Sequence, residues 1–236
     1  MQENKGDYEM KKILEDLIPS GRKNRPAKAN PVKYVTIHET GNTSKGANAK
    51  AHGNYLRGDT AAGMPVSWHY TVDSTEIRQH LPEKETAYHA GDGANGTGNA
   101  QSVGIEICIN SDGDFSAAVA NAIELVTDIC IRNNIPAANV VQHNHWSGKN
   151  CPANIRAGRP ITWAEFTARV TKAIAAGSAN TPSKPSEPSK PSTPNTGKAV
   201  TYRVVAGSFA DKANAEAQVR RLKLKGFESF IAEYEK

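Results

Sequence analysis

Three short segments alternate apolar and polar side chains, which is the pattern of a β-strand with one buried face. We predict strands over residues 35–38, 67–72 and 103–109. Helices should pack on the apolar side of the sheet, which carries Val35, Ile37, Trp68, Tyr70, Val72, Ile105, Ile107 and Ile109. The polar side should line a cleft, and it carries Thr36, His38, His69, Gly104, Glu106 and Cys108.

Helical spacing of apolar residues follows in the second half of the chain. A long helix is predicted over residues 115–133, because apolar positions recur every three or four residues and Pro136 lies beyond them. Those positions are Phe115, Val119, Ala122, Val126 and Ile129. A last helix should begin at a capping box of Thr162 and Glu165 and end near Gly177.

A shorter amphipathic helix is expected near residues 7–17, where Ile13, Leu14 and Leu17 would share one side. The glycine-rich stretch 91–96 should be a loop. Strands mixed with helices indicate an α/β domain, and we expect a single mixed central sheet flanked by helices.

Residues 178–197 interrupt these patterns with a proline at every third position among Ser, Lys and Glu residues. Such a sequence cannot bury a core and favours an extended polyproline II spacer. It divides the chain into a domain over 1–177, a linker over 178–197 and a small module over 198–236. The module should be a βαβ unit, with a strand over 201–206, a helix that begins at Asp211 and a strand over 227–234.

Composition narrows the classes of partner. Hydrophobic residues make up 38% of the chain, and no apolar run reaches the roughly 18 residues that span a bilayer, so no membrane span is expected. The charged N-terminal residues lack an apolar centre, which predicts that there is no secretory signal peptide. The net charge of +5 suits an anionic polymer. No basic and aromatic run resembles a nucleic-acid motif, so nucleic acid is not an expected partner.

A histidine and a cysteine close together near residue 150 indicate a metal site. Imidazole and thiolate are the ligands that zinc prefers, and His143 and Cys151 lie on one predicted loop. With His38 from the first strand they give three ligands and leave a fourth position open, as in catalytic zinc sites. By composition His145 is equivalent to His143. Each residue alone also has a structural interpretation, as a hydrogen-bonded histidine or a small buried cysteine.

The other cysteines and histidines are assigned less specific roles. Three cysteines are too few for a disulfide framework, and we expect Cys108 and Cys130 in the core. The histidines that should serve loops or the substrate surface are His52, His80 and His89. Of these, His89 is the strongest candidate for contact with a metal ligand.

Two charged residues are candidates for catalysis. Glu106 is the candidate general base, because it lies on the cleft side of its strand and burying a carboxylate without a partner is costly. Lys149 lies two residues before Cys151, where its ammonium group would stabilise an oxyanion.

Five segments occur in the order and approximate spacing of zinc-dependent N-acetylmuramoyl-L-alanine amidases: 35–38, 67–69, 88–93, 103–106 and 143–152. Residues 30–175 thus resemble that family, which includes phage and prophage endolysins and is related to animal peptidoglycan recognition proteins. The resemblance implies zinc on His38, His143 and Cys151, with Glu106 and Lys149 as catalytic partners. It therefore favours His143 over His145.

The resemblance also implies a substrate-binding surface that includes Trp68, His69 and His89. Some relatives have tyrosine at the position of Trp68, so a role that needs a hydroxyl group is not expected there. The tail is similar to the sporulation-related (SPOR) repeat of cell-wall proteins through residues 202–209 and 213–215. That similarity implies binding to glycan strands, although the repeat is single and short. A dimerisation element and a remnant are the alternatives.

These resemblances predict a Zn²⁺ enzyme that cuts the amide bond between N-acetylmuramic acid and L-alanine in bacterial peptidoglycan. Without a signal peptide, it would be made in the cytoplasm and act on the cell wall after release, as an endolysin does. Two alternatives stay open at this point. One is a peptidoglycan-binding protein without activity, and the other is a zinc peptidase that cuts within the stem peptide.

Overall fold

A computed structural model describes residues 11–180 of the chain, together with Ala215 and Val219. Within residues 11–180 the strands are β1 (Ile13–Glu15), β2 (Tyr34–Glu39), β3 (Tyr70–Val72), β4 (Ile77–Gln79), β5 (Ser102–Ile107) and β6 (Val140–Gln142). They form one sheet in the order β1-β4-β3-β5-β2-β6. β3 and β4 run antiparallel and the other neighbouring pairs are parallel, so the predicted mixed α/β sheet is confirmed.

Helices of very different lengths connect and cover the strands. They are α1 (Ala49–Arg57), α2 (Asp59–Ala62), α3 (Thr97–Gln101), α4 (Phe115–Asn133), α5 (Asn144–Ser147), α6 (Ala153–Arg156) and α7 (Trp163–Asn180), with a 3₁₀ turn over Ala137–Asn139. The predicted loop over 91–96 is confirmed and leads directly into α3.

The two long helices begin and end as their local sequences dictate. The side chain of Asp114 caps α4 by accepting from the N–H of Ala117 at 3.0 Å. Asn134 ends α4 in a left-handed conformation with a φ of 54°. The predicted capping box of α7 is confirmed, because the N–H of Thr162 donates to Glu165 Oε2 (2.7 Å) and the N–H of Glu165 donates to Thr162 Oγ1 (3.1 Å).

The main apolar core lies between the sheet, α4 and α7. Its fully buried members include Val35, Ile37, Val72, Ile105, Ile107, Val126, Ile129, Phe166 and Val170. A second, smaller cluster lies around α1 and contains Ile18, Leu56, Trp68, Leu81 and Ala87. The apolar alternation of β2 and β5 therefore does mark the side on which the long helices pack.

The amphipathic helix predicted near 7–17 is wrong where the structure describes that segment. Ile13 instead pairs with Ile77 in the edge strand β1, parallel to β4. The ladder continues where the N–H of Asp16 donates to the carbonyl of Gln79 at 2.8 Å. Ile13 packs against the main core and Ile18 lies in the second cluster, so pairing with a distant strand outweighs the local periodicity.

The strand predicted over 67–72 is shorter, because β3 begins only at Tyr70. Trp68 therefore does not share a side with Tyr70 and Val72: it packs in the second cluster while they pack in the main core. The strand predicted over 103–109 is β5, which ends at Ile107.

The chain divides into two compact units, Met1–Lys184 and Pro185–Lys236. In the second unit Ala215 and Val219 are helical, while the strands predicted over 201–206 and 227–234 lie outside the described residues. The start of the predicted helix at Asp211 and the linker beyond residue 180 lie outside them as well. Across the part of the chain that is described, none of the helices has both the length and the apolarity that crossing a bilayer requires.

Candidate active site

The three predicted zinc ligands come from β2, which is next to the edge strand β6, and from the segment that follows β6 in the chain. His38 lies in β2, and β6 ends directly before His143. The N–H of His143 donates to the carbonyl of Ile37 at 3.1 Å, which extends the ladder between the two strands and brings His143 next to His38. Cys151 lies in the loop that precedes α6.

The side chains of His38, His143 and Cys151 are buried and meet at one point. Nδ1 of His38 lies 2.9 Å from Nδ1 of His143 and 3.9 Å from Sγ of Cys151. Each side chain offers a ligand atom within 4.8 Å of the other two. Two ligand atoms on one tetrahedral zinc ion are about 3.3–3.8 Å apart, given zinc–ligand bonds of about 2.0–2.3 Å. The observed separations of 2.9 and 3.9 Å lie on either side of this range, so the three side chains need only small shifts to share one ion, and their donor types are those that zinc prefers.

Burial sets the protonation of these groups. It is the largest cause of the lowered pKa of His38 and of His143, and the nearby Lys149 lowers both pKa values further. Neutral imidazole is the form that binds a metal. Burial, with Glu106 nearby, raises the pKa of the Cys151 thiol to about 12, so a bound cation is needed to hold this sulfur as the thiolate.

His89 contacts the side of His38 that faces away from the other ligands. Nδ1 of His89 lies 3.0 Å from Nε2 of His38. A Cβ atom on Gly104 would lie 2.7 Å from the His89 ring, so glycine is needed at this position of β5 to admit the imidazole. A hydrogen bond to the second nitrogen of a metal-binding histidine fixes its tautomer and ring orientation. His89 therefore orients His38.

Glu106 lies beside the ligands because it pairs with His38 across β5 and β2. Its Oε1 is 3.8 Å from Nδ1 of His38, and its Oε2 is buried with no hydrogen-bond partner among the described residues. Burial raises the pKa of Glu106 to about 8, Lys149 acts in the opposite direction, and Glu39 adds to the rise. A zinc ion on the neighbouring ligands would lower this pKa and favour the carboxylate, whose Oε2 has hydrogen-bonding capacity left for a water molecule or a substrate.

Lys149 and His143 line an open cavity of about 630 Å³ that also touches His89 and the loop 91–94. The Lys149 side chain is exposed, so its ammonium group is free to meet a substrate in this space. Tyr88 lines the cavity too, and it was not among the predicted site residues. The cavity has the size of a small-molecule or peptide-fragment site.

The structure does not bring His69 and Trp68 to the cavity. His69 is fully buried: its Nδ1 accepts from the N–H of Gly104 at 2.9 Å, and its Nε2 lies 2.8 Å from the carbonyl of Glu85. Trp68 is buried and donates from Nε1 to Thr71 at 2.7 Å. Both side chains support the strands below the site.

The remaining histidines and cysteines also lie away from the ligands. His80 is buried and His52 half-buried beside the Trp68 ring. Cys108 and Cys130 are buried free thiols, in agreement with their predicted place in the interior. His145 is exposed, and its ring packs edge-on against Trp146 rather than toward His38.

Two residues near the ligands were missed in the sequence. Asn144 donates from Nδ2 to the carbonyls of Gly148 and Lys149, both at 2.9 Å, and so closes the loop between two ligands. Glu39, directly after His38, accepts hydrogen bonds from Asn154 near Cys151. Strand alternation places Glu39 on the apolar side of β2, and a carboxylate there was a signal for a specific partner.

Two known protein families match parts of this chain. Residues 28–154 match the family model described as N-acetylmuramoyl-L-alanine amidase, and residues 190–236 match the SPOR domain. The N-acetylmuramoyl-L-alanine amidase XlyA of Bacillus subtilis (strain 168) is 50% identical over 161 residues, which are 68% of this chain and 52% of XlyA. CwlH of the same organism, also an N-acetylmuramoyl-L-alanine amidase, is 49% identical over 61% of this chain and 56% of CwlH.

Solved structures agree with the fold. The catalytic domain of XlyA superposes with a TM-score of 0.63 at 48% identity. The alignment covers 67% of this chain and 99% of that domain. A mutant endolysin from Bacillus subtilis gives a TM-score of 0.64 at 48% identity, covering 68% of this chain and 99% of that one. The chain spans about half the length of the curated relatives that it matches. Because the family match covers more than half of its residues, the chain belongs to the N-acetylmuramoyl-L-alanine amidase family.

Proposed function

We propose that this chain is a zinc-dependent hydrolase that cuts the amide bond between N-acetylmuramic acid and L-alanine in bacterial peptidoglycan. The observation that carries the proposal is the convergence of His38, His143 and Cys151 within 4.8 Å of one another, with the unpartnered carboxylate of Glu106 beside them. The names of the relatives, XlyA and CwlH among them, support this reaction.

His38, His143 and Cys151 would hold the zinc ion, and His89 would orient His38. When bound, zinc supplies a Lewis acid that polarises a carbonyl group and makes a water molecule a stronger acid. With only these three protein ligands, the site would correspond to catalytic rather than structural zinc sites, which use four protein ligands.

Glu106 would act as the general base. A water molecule bound near His38 would lie within reach of Oε1 of Glu106, which is 3.8 Å from Nδ1 of that histidine. The carboxylate would take a proton from this water and pass it to the leaving amine of L-alanine. The Lys149 ammonium group, at the wall of the cavity, would stabilise the negative charge that develops on the carbonyl oxygen.

The domain organisation belongs to the same proposal. We assign catalysis to residues 1–177, a spacer to 178–197 and binding to glycan strands or another wall polymer to 198–236. The SPOR match over 190–236 supports the last assignment. An enzyme of this design would be made in the cytoplasm and reach the wall after release, and the likeness to a Bacillus subtilis endolysin structure supports that route.

Digestion of purified peptidoglycan, followed by mass spectrometry, tests the proposed bond. The amidase should release stem peptides with a new free L-alanine amino terminus and leave glycan strands with free lactyl groups. New termini within the stem peptide would identify a peptidase instead. Binding to the wall without any new termini would identify a non-catalytic binding protein.

A further inference from the structure

Glu39 is a buried carboxylate on the apolar side of the sheet. It is the last residue of β2 and only 8% exposed. The backbone N–H of Asn154 reaches both of its oxygens (3.0 and 2.9 Å), the Asn154 side-chain amide donates at 2.8 Å, and the N–H of Ile155 donates at 3.0 Å. All of these donors belong to the first turn of α6. Charge-assisted hydrogen bonds of this kind are the strong ones in proteins.

The two ends of this contact each adjoin a proposed metal ligand. Glu39 directly follows His38, and Asn154 lies three residues after Cys151. Glu39 also contacts this ligand directly, because its backbone N–H donates to Sγ of Cys151 at 3.5 Å. Pro152, the residue before α6, provides no side-chain cap, so this helix end depends on a side chain from the sheet.

We infer that Glu39 is a positioning residue, which fixes the Cys151 thiolate opposite His38 through α6. The inference rests on the proposed metal site. Moving α6 away from β2 would break these hydrogen bonds and leave a buried carboxylate without partners, which is costly in free energy. The carboxylate of Glu39 therefore fixes the distance between α6 and β2. The apolar anchor of the same turn, Ile155, is fully buried in the main core and limits the remaining movement.

Cobalt(II) in place of zinc tests the inference, because a cobalt–thiolate bond absorbs light in the near ultraviolet. We would load the full chain and the variants Glu39→Ala and Glu39→Gln with Co²⁺, and measure Zn²⁺ affinity by competition with a chelator. Glu39→Ala should weaken Zn²⁺ affinity by about 10- to 100-fold, as loss of outer partners does in other metal sites, and reduce the thiolate band. Glu39→Gln keeps an oxygen acceptor, so its Zn²⁺ affinity and thiolate band should lie between those of Glu39→Ala and the wild type.

Glu83→Ala is the matched control. Glu83 is also a largely buried carboxylate with several donors, at Tyr70 (2.8 Å), Arg132 (2.9 Å) and Asn133 (3.1 Å), but it lies away from the ligands. This variant should lose thermal stability and keep both the thiolate band and the Zn²⁺ affinity.

The outcomes separate the inference from the proposed metal site. Absence of a thiolate band in the Co²⁺-loaded wild-type chain would contradict the proposed metal site itself. A wild-type band that persists unchanged in folded Glu39→Ala, at equal Zn²⁺ affinity, would overturn the role of Glu39 alone. An equal loss in Glu83→Ala would overturn it too, since general destabilisation would then explain the effect. Where Glu39→Ala fails to fold, wild-type affinity in Glu39→Gln is the overturning result.

Discussion

The Glu106 side chain lies where the proposed mechanism requires a general base, 3.8 Å from the Nδ1 atom of His38, and one of its oxygens has no partner among the described residues. Glutamine has the same shape but cannot take up a proton. Glu106→Gln should therefore keep its bound zinc and lose about 10²- to 10⁴-fold in kcat, the usual contribution of a general base. Turnover of peptidoglycan and the zinc content of the purified variant are the measurements, and wild-type turnover would remove Glu106 from the mechanism.

Gly104 shows how a missing side chain shapes the site. Alanine there would place a Cβ atom 2.7 Å from the His89 ring, which is held in turn by His38. We expect Gly104→Ala to lower the free energy of unfolding by about 1–3 kcal/mol through overpacking, and to weaken zinc binding. Urea denaturation and a zinc competition assay measure the two effects.

Gly63→Ala is the control, since nothing lies within 4 Å of a Cβ at that position and its φ of −89° suits any residue. It should leave both quantities within about 0.5 kcal/mol of wild type, as surface substitutions usually do. Equal stability of the Gly104→Ala and Gly63→Ala variants would contradict the packing account.

At the scale of elements, the segment 143–151, which includes α5, carries two proposed ligands and Lys149, and hydrogen bonds of Asn144 hold its ends together. Asn144 bonds the carbonyls of Gly148 and Lys149, and its N–H donates to the carbonyl of Cys151 at 3.0 Å. Asn144→Ala removes only the side-chain bonds. It should lower kcat by roughly 10- to 100-fold, because the catalytic groups lose their fixed placement.

The neighbouring variant His145→Ala is the matched control for that loop. His145 is exposed and packs on Trp146, so its loss should leave kcat and zinc content unchanged. A loss of zinc from His145→Ala would mean that the metal uses the other histidine of this segment.

Elements in which apolar residues alternate or recur at helical spacing over many positions could be predicted from the sequence. β2, β5 and α4 are of this kind, because each buries one face against a single large core. β1 could not be predicted, since its strand character comes from pairing with β4. Trp68 was predicted on the wrong side because β3 begins at Tyr70, three residues after the predicted start at residue 67.

The candidate site divides in the same way. Residue type and order in the sequence were enough to predict four site residues, which the structure brings together: His38, Glu106, His143 and Cys151. Glu39 was visible as a carboxylate on an apolar face, but its partner Asn154 is 115 positions away and no local pattern identifies it. Contacts between distant segments are thus the part of the site that required the structure.

At the scale of the whole molecule, buried histidines make the fold sensitive to acid. Burial is the largest cause that lowers the pKa of His80 from 6.5 to about 4, against the opposing effect of Asp16. The unfolded chain therefore takes up this proton first. The stability that neutral His80 contributes is present above pH 6.5 and is lost as the pH falls toward 4.

From pH 7 to pH 5 this one residue should cost about 2 kcal/mol of unfolding free energy. Urea denaturation of the metal-free protein at both pH values measures the total loss. His80→Gln retains a polar side chain that does not titrate, so its loss between the two pH values should be smaller by about that amount. An identical pH dependence in the variant would show that His80 is not held neutral by the fold.

The proposed hydrolysis depends on one zinc ion held by His38, His143 and Cys151. Its most direct test is a titration of the metal-free chain with zinc, in which free L-alanine amino termini released from peptidoglycan are counted at each step. We expect no release without metal, and a linear rise in released termini that stops at one zinc per chain. Full release from the metal-free protein, or saturation with no new L-alanine termini, would contradict it.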